Sequence, residues 1–287
     1  MAGKFARSWA LMKASAAVLR SDKALLAFPL LSGVCSLVVM ASFLVPIVLV
    51  MIAHGGNVGD AAGHRWSLAT YLVFFAFYLV QYFVIVFFNT ALAGCALRHL
   101  RGEPGSLSDG LALARSRWAS ILGYALIAAT VGLFLRALQE RLGLIGRLVV
   151  GLLGLAWTVA TFLVVPVLAS QDVGPVDAVK RSVELLKRTW GENLIGNVGL
   201  GAVFGLVTFL ALVLGAVLVG GAVALHSLPA IVVAVVVVVV GMVLLSLVQA
   251  SLQGIYAAAL YRFAENGEVG AGFDQALLEN AFRQKRK

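Results

Sequence analysis

Residues Leu228–Tyr261 read LPAIVVAVVVVVVGMVLLSLVQASLQGIYAAALY and contain no Lys, Arg, Asp or Glu. About 20 apolar residues in a helix cross a bilayer core of roughly 30 Å. Because hydrocarbon offers backbone polar groups no partner, a segment that spans it must satisfy them internally, as a helix does. Five more stretches of the chain are free of charge in the same way. They are Ala24–Ala53, Leu68–Leu97, Ala119–Leu135, Leu148–Ser170 and Leu194–Leu225.

The composition agrees with this reading of the apolar stretches. Of 287 residues, 61% are hydrophobic and only 12% are charged, whereas about a quarter of a soluble domain is charged. We therefore predict an all-α integral membrane protein, a single membrane domain over residues 1–287 with six transmembrane helices arranged as three hairpins.

The positive charges indicate how the chain is oriented. Of the 22 Lys and Arg residues, 18 fall in the N-terminal segment, the second and fourth loops and the C-terminal tail. Because cytoplasmic loops carry the excess of Lys and Arg, both termini are expected in the cytoplasm. The expected partners are membrane lipids, above all anionic inner-leaflet lipid. We expect no nucleic-acid partner, since the basic residues are spread over separate segments beside the membrane.

A segment with helical periodicity precedes each odd-numbered span. The segments are Lys4–Lys23 within the lead-in 1–23, Ser108–Trp118 and Val176–Trp190, and a fourth, Asp274–Phe282, lies in the tail 262–287. Apolar residues on one face and basic residues elsewhere predict amphipathic helices. Such helices lie in the inner headgroup layer or cap the bundle, and the sequence leaves both readings open.

Amide side chains enter the predicted spans, most of them in the cytoplasmic half and Gln81 at mid-depth. We hypothesise a polar pocket among the second, fifth and sixth spans, suited to a lipid headgroup or a small polar solute. The alternative is hydrogen bonding between helices, with Gly201 and Gly205 forming a close packing face. The candidate pocket residues are Gln81, Asn89, Asn193, Asn197, Gln249 and Gln253.

Pro166 lies near the cytoplasmic end of the fourth span. Proline removes a backbone donor, so this position predicts a kink. A kinked helix beside a basic amphipathic segment could be a gate or a bend that seats the segment.

Metal binding and catalysis find little support in the residue pattern. His54, Asp60, His64 and His226 cluster near the external side, but their spacing matches no zinc motif. No span contains Asp, Glu, Lys or Arg, which argues against a proton relay. No nucleophile, base and acid stand together, so we expect neither an enzyme nor a cofactor.

Two functions remain open. The leading hypothesis is non-enzymatic binding or transport of a lipid or small solute through the inner-half pocket. The alternative is a membrane scaffold or sensor whose basic amphipathic helices engage the inner leaflet or protein partners. The Gly-rich helix faces could pack within one chain or between chains, so a homo-oligomer is possible.

Several short motifs resemble one bacterial family of six-helix membrane proteins, classed as a domain of unknown function. The resemblance runs from Ser8 to about Arg262 and implies an α-helical protein of the bacterial inner membrane. It brings no established activity, ligand or catalytic residue. The motifs are Phe87–Leu92 (FFNTAL), Asp109–Leu111 (DGL), Ile121–Gly123 (ILG), Gly154–Trp157 (GLAW), Val165–Val167 (VPV), Gly174–Ala178 (GPVDA), Lys180–Ser182 (KRS) and Thr189–Gly191 (TWG).

Overall fold

Long helices follow one another along the chain, and no strand occurs in the part of it that the structure describes. The structure is a computed structural model that describes residues 13, 15–53, 68–190, 198–224 and 226–267. Residues 15–21 are helical, and a short 3-10 helix (Lys23–Leu26) follows them. The α-helices are α1 (Ala27–Ala53), α2 (Leu68–Leu100), α3 (Leu107–Ser116), α4 (Trp118–Arg141), α5 (Leu144–Ala160), α6 (Val164–Ser170), α7 (Pro175–Trp190), α8 (Val198–Ala224) and α9 (Leu228–Asn266).

Six stretches of helix are long and apolar enough to cross a membrane: parts or all of α1, α2, α4, α8 and α9, and the α5–α6 pair. Large apolar side chains cover their surfaces. Leu37, Leu214 and Leu228, for example, are 64%, 69% and 74% exposed. Soluble proteins rarely expose contiguous apolar surface on this scale. The all-α class and the six apolar helices are thus confirmed, while the arrangement as three hairpins stays a prediction.

The chain divides into two units. The terminal unit comprises Met1–Ala27, Cys95–Gly105 and Glu184–Lys287. The middle unit comprises Phe28–Gly94 and Ser106–Val183. The helices α8 and α9 therefore belong to the terminal unit, and α4, α5 and α6 to the middle unit.

Local sequence explains where α3 begins and ends. The Ser106 hydroxyl accepts from the Asp109 N–H at 3.2 Å, and the Asp109 carboxylate accepts from the Ser106 N–H at 3.1 Å. This reciprocal capping box satisfies two N–H groups that the first turn of a helix leaves unpaired. The second amphipathic segment, predicted over Ser108–Trp118, ends at Ser116, because Arg117 turns the chain and Trp118 opens α4.

Helix α7 has one buried and one exposed face. Ala178, Ser182 and Leu185 are fully buried, whereas Lys180 and Lys187 are exposed. Its placement in the headgroup layer or as a cap on the bundle stays a prediction. Of the other amphipathic segments, Asp274–Phe282 and most of Lys4–Lys23 lie outside the described residues.

The stretch Leu148–Ser170, predicted as a single kinked span, consists of two helices. Residues 161–163 form a turn, with i to i−3 hydrogen bonds from Phe162 to Val159 and from Val164 to Thr161. A proline ring clashes with the carbonyl four residues earlier and donates no hydrogen bond to it. For Pro166 that carbonyl belongs to Phe162, which explains why the break lies one turn before the proline.

Candidate functional site

The two units share the predicted pocket residues between them. Gln81 and Asn89 lie on α2 in the middle unit, and Gln249 and Gln253 lie on α9 in the terminal unit. Asn193 and Asn197 lie outside the described residues. A single pocket that joins all six amides therefore stays a prediction, and each unit is described below by itself.

Gln81 is the amide with the strongest reason to bind something. Its Oε1 atom is buried and has no hydrogen-bond partner in the part of the chain that the structure describes. Leaving a buried polar group unpaired costs about 1–3 kcal/mol. Thr90, about two and a half turns further along α2, is buried as well, but its hydroxyl donates to the Val86 carbonyl at 2.8 Å. The Thr90 hydroxyl is thus hydrogen-bonded within its own helix, whereas Oε1 of Gln81 is not.

Side-chain burial increases along α2 toward and beyond Asn89. Before it, Leu72, Val73 and Ile85 are exposed, and after it Ala91, Leu92 and Ala96 are completely buried. Asn89 itself is half-buried. The long apolar helix therefore has a section with an exposed apolar surface and a section enclosed by protein.

Helix α9 changes in the same way at Gln249. Leu244 and Val248 are exposed, whereas Leu252, Ile255 and Leu260 are buried. At the change, the Thr208 hydroxyl of α8 donates to Oε1 of Gln249 at 3.5 Å. Gln253, one turn further on, is exposed. Asn89 on α2 and Gln249 on α9 thus each lie where exposed apolar helix gives way to buried helix.

Buried polar contacts anchor the second section of α9 within the terminal unit. The Ser251 hydroxyl donates to the carbonyl of Leu247 at 3.0 Å and also lies 3.5 Å from that of Leu25. The guanidinium of Arg262 donates to the carbonyl of Leu100 at the end of α2. These contacts tie α9 to the end of α2 and to the short 3-10 helix that precedes α1.

The close approach of α8 and α9 occurs at a glycine other than the two predicted. A Cβ built on Gly215 would lie 2.9 Å from a Val238 methyl group, so this position has no room for a larger residue. A Cβ on Gly205 would have no neighbour within 4 Å in the described structure, and the surroundings of Gly201 are outside it. Packing at Gly201 and Gly205 therefore stays a prediction.

An apolar groove of about 550 Å³ runs between α8 and α9. Its lining residues are apolar on both helices, and two of them are glycines. They are Val207, Leu210, Ala211, Leu214, Gly215 and Leu218 on α8, and Val237, Val238, Gly241, Met242 and Leu245 on α9.

In the middle unit, a side chain that the sequence reading did not select holds the broken helix together. The hydroxyl of Ser182 on α7 accepts from the Leu163 N–H at 3.1 Å and donates to the Ala160 carbonyl at 2.7 Å. Both backbone groups lose their regular partners at the break. One sequence signal could have indicated this role, because Ser182 lies within the otherwise apolar face of an amphipathic helix.

Two further contacts fix the loop between α6 and α7 against the start of α4. Arg117 forms an ion pair with Asp172. A Cβ on Gly123 would lie 2.7 Å from Cγ of Pro175, so α4 and the first turn of α7 touch here. The break, the loop and α7 thus form one packed assembly with α4.

A polar contact also lies near the other end of α4. Arg136 donates to the Tyr78 hydroxyl at 2.8 Å and pairs with Glu140 at 3.2 Å. Helix α4 continues to Arg141, past the predicted end of the span at Leu135. The Arg136 ion pair is exposed on both sides.

Of the four candidate metal ligands, the structure describes one, His226. His54, Asp60 and His64 lie outside the described residues, and His226 forms the turn before α9. Within the described residues no group of three His, Cys, Asp or Glu side chains could hold a metal ion.

Comparison with known proteins identifies the family. A family of unknown function, DUF6159, matches residues 68–273, which is most of the chain. No curated protein and no solved structure matches this chain. The family resemblance drawn from the sequence is confirmed, and the chain belongs to the DUF6159 family of unknown function.

Proposed function

We propose that this chain is a multi-pass protein of the bacterial inner membrane that binds a lipid or small polar solute without catalysing a reaction. The observation that carries the proposal is the buried, unpaired Oε1 of Gln81 in the described structure. An amide at membrane depth is costly unless a partner satisfies it. A bound ligand that donates a hydrogen bond would offset this cost.

Orientation with both termini in the cytoplasm belongs to the same proposal and is supported by the Lys and Arg distribution. In that orientation Asn89 and Gln249 lie toward the inner leaflet. Counting about 20 residues from Leu68 reaches Phe88, and the same count from Leu228 reaches Val248. The two changes in burial therefore lie where the hydrocarbon core should end.

Gln81→Leu tests the role of the amide directly. If the amide is held unpaired for a ligand, the leucine variant should lose the ligand and yet be the more stable protein once the ligand is removed. Functional sites commonly carry such a stability cost. Thr130→Val on α4 is the matched control, because the Thr130 hydroxyl bonds within its own helix, to the Leu126 carbonyl at 2.8 Å.

A second function, that of a scaffold or sensor at the inner leaflet, is favoured by one observation. Helix α7 exposes Lys180 one turn from the exposed apolar side chain of Val176, and it also exposes Lys187 further along. Basic residues next to an apolar residue are typical of helices that meet anionic lipid. A spin label at Val176 should then sink deeper in nanodiscs with anionic lipid than in zwitterionic ones. Equal immersion in both would count against this function.

A further inference from the structure

The groove between α8 and α9 lies at a definite depth. About 20 residues, counted from Leu228 along α9 and from Ala224 back along α8, end at Val248 and Gly205. The groove occupies residues 207–218 and 237–245. In the proposed orientation the groove therefore begins near the inner boundary of the hydrocarbon core and reaches its middle, which it passes slightly on α8 at Leu218.

Its inner end is polar, unlike the rest. The Thr208–Gln249 pair lies just beyond Leu245, at the level where α9 becomes buried. Because Oε1 of Gln249 accepts a hydrogen bond from the Thr208 hydroxyl, the NH₂ group of the same amide can act as a donor at this level. Ester carbonyl and phosphodiester oxygens of a phospholipid lie at the same depth and accept such a bond.

An apolar groove with one polar end fits an amphiphile better than a water-soluble solute. The gain on seating an acyl chain is packing, since the tail already lies in hydrocarbon and no apolar surface leaves water. Gly241 deepens the groove, because it carries no side chain and a Cβ there would have no neighbour within 4 Å.

We propose that the groove seats one inner-leaflet phospholipid, with an acyl chain between α8 and α9 and its glycerol-phosphate end at Thr208 and Gln249. The inference rests on the proposed function in taking the chain to bind lipid, and it places one lipid in the terminal unit, whereas Gln81 belongs to the middle unit.

The test uses the full-length protein in nanodiscs that contain a phospholipid with a photoactivatable diazirine in its acyl chain. Cross-linked peptides are then mapped by mass spectrometry. Gly241→Phe should fill the groove, since a Cβ there has no neighbour within 4 Å, and cross-links to α8 and α9 should fall about fivefold, the loss that corresponds to roughly 1 kcal/mol. Gly220→Phe is the matched control: it too has open space around it, and it lies outside the groove.

A second pair of variants tests the polar end without adding bulk. Gln249→Leu should lower the cross-linking of the same peptides by a similar factor. Ser246→Ala should not, because the Ser246 hydroxyl bonds within its own helix to the Met242 carbonyl at 2.8 Å. This pair keeps the inference open to test if Gly241→Phe fails to fold.

The outcomes separate the two proposals. Equal cross-linking of wild type, Gly241→Phe and Gln249→Leu would mean that the cross-links come from bulk lipid around the protein. That result would overturn the groove site. A ligand lost on Gln81→Leu would still support the proposed function in that case. Cross-linking that falls in Gly241→Phe and Gln249→Leu, together with a Gln81→Leu variant that keeps its ligand, would support the groove site and count against the role proposed for Gln81.

Discussion

The Ser182 hydroxyl accepts a hydrogen bond from the Leu163 N–H at 3.1 Å and is fully buried. With its bond to Ala160, one side chain of α7 supplies both an acceptor and a donor to the break between α5 and α6. The amphipathic helix is thereby tied to the point where a membrane-spanning stretch is interrupted.

Ser182→Ala should destabilise the protein by about 1–3 kcal/mol, because it leaves a buried N–H and a buried C=O unpaired. The change is measured as the shift in unfolding free energy in detergent. Ser170→Ala is the control, since the Ser170 hydroxyl bonds to the Val167 carbonyl of its own helix. Equal stability of the two variants would mean that Ser182 does not hold the break.

Pro166→Ala restores a backbone donor that can reach the Phe162 carbonyl, so α5 and α6 should merge more readily. Fewer backbone groups at the break then depend on the Ser182 hydroxyl for a hydrogen bond. Ser182→Ala should therefore lower the unfolding free energy by less in the Pro166→Ala background than in the wild type. The difference, expected near 1 kcal/mol, is the coupling energy of a double-mutant cycle. Strict additivity would contradict the role given to the proline.

Gly123→Ala should destabilise the contact between α4 and α7. The added Cβ would lie 2.7 Å from Cγ of Pro175, whose ring cannot rotate away, and overpacking of this kind costs about 1–3 kcal/mol. Gly151→Ala on α5 has no neighbour within 4 Å and should gain up to about 1 kcal/mol from helix propensity. Thermal unfolding of both variants, side by side, measures the contrast, and a loss no larger at Gly123 would refute the contact.

Spin labels on α9 measure where the membrane ends. In a Cys35→Ala, Cys95→Ala background, labels replace the exposed residues Val240, Leu244 and Gln253 in turn. Oxygen accessibility should be high at Val240, lower at Leu244 and lowest at Gln253, where a water-soluble nickel chelate should gain access. If Gln253 lies as deep as Val240, the hydrocarbon covers all of Leu228–Tyr261 and the boundary at Gln249 is wrong.

The apolar helices could be predicted because hydrocarbon dictates both their length and their freedom from charge. The ends of their exposed apolar sections could not be predicted, since α2 and α9 continue as helix past Asn89 and Gln249 without a charged residue until Arg98 and Arg262. Only the burial of the later sections shows that protein encloses them. Composition looks alike for residues that face lipid and residues that face protein.

The break at residues 161–163 was only partly predictable. Pro166 predicted a disturbance, but the ring acts on a carbonyl four residues earlier, and the strength of the break depends on Ser182. That contact joins residues 19 positions apart in sequence, which no local pattern specifies. Likewise, Gln81 and Gln249 could be selected from the sequence by residue type and depth. The hydrogen bond between Gln249 and Thr208 could not be predicted, because it depends on how α8 and α9 pack.

Native mass spectrometry of gently extracted protein tests the central claim of ligand binding most directly. Wild type and Thr130→Val should retain the same lipid or small solute, and Gln81→Leu should lose it while melting at a higher temperature after the ligand is stripped. Wild-type protein that carries no bound species, or a Gln81→Leu variant that keeps its ligand and gains no stability, would contradict the claim.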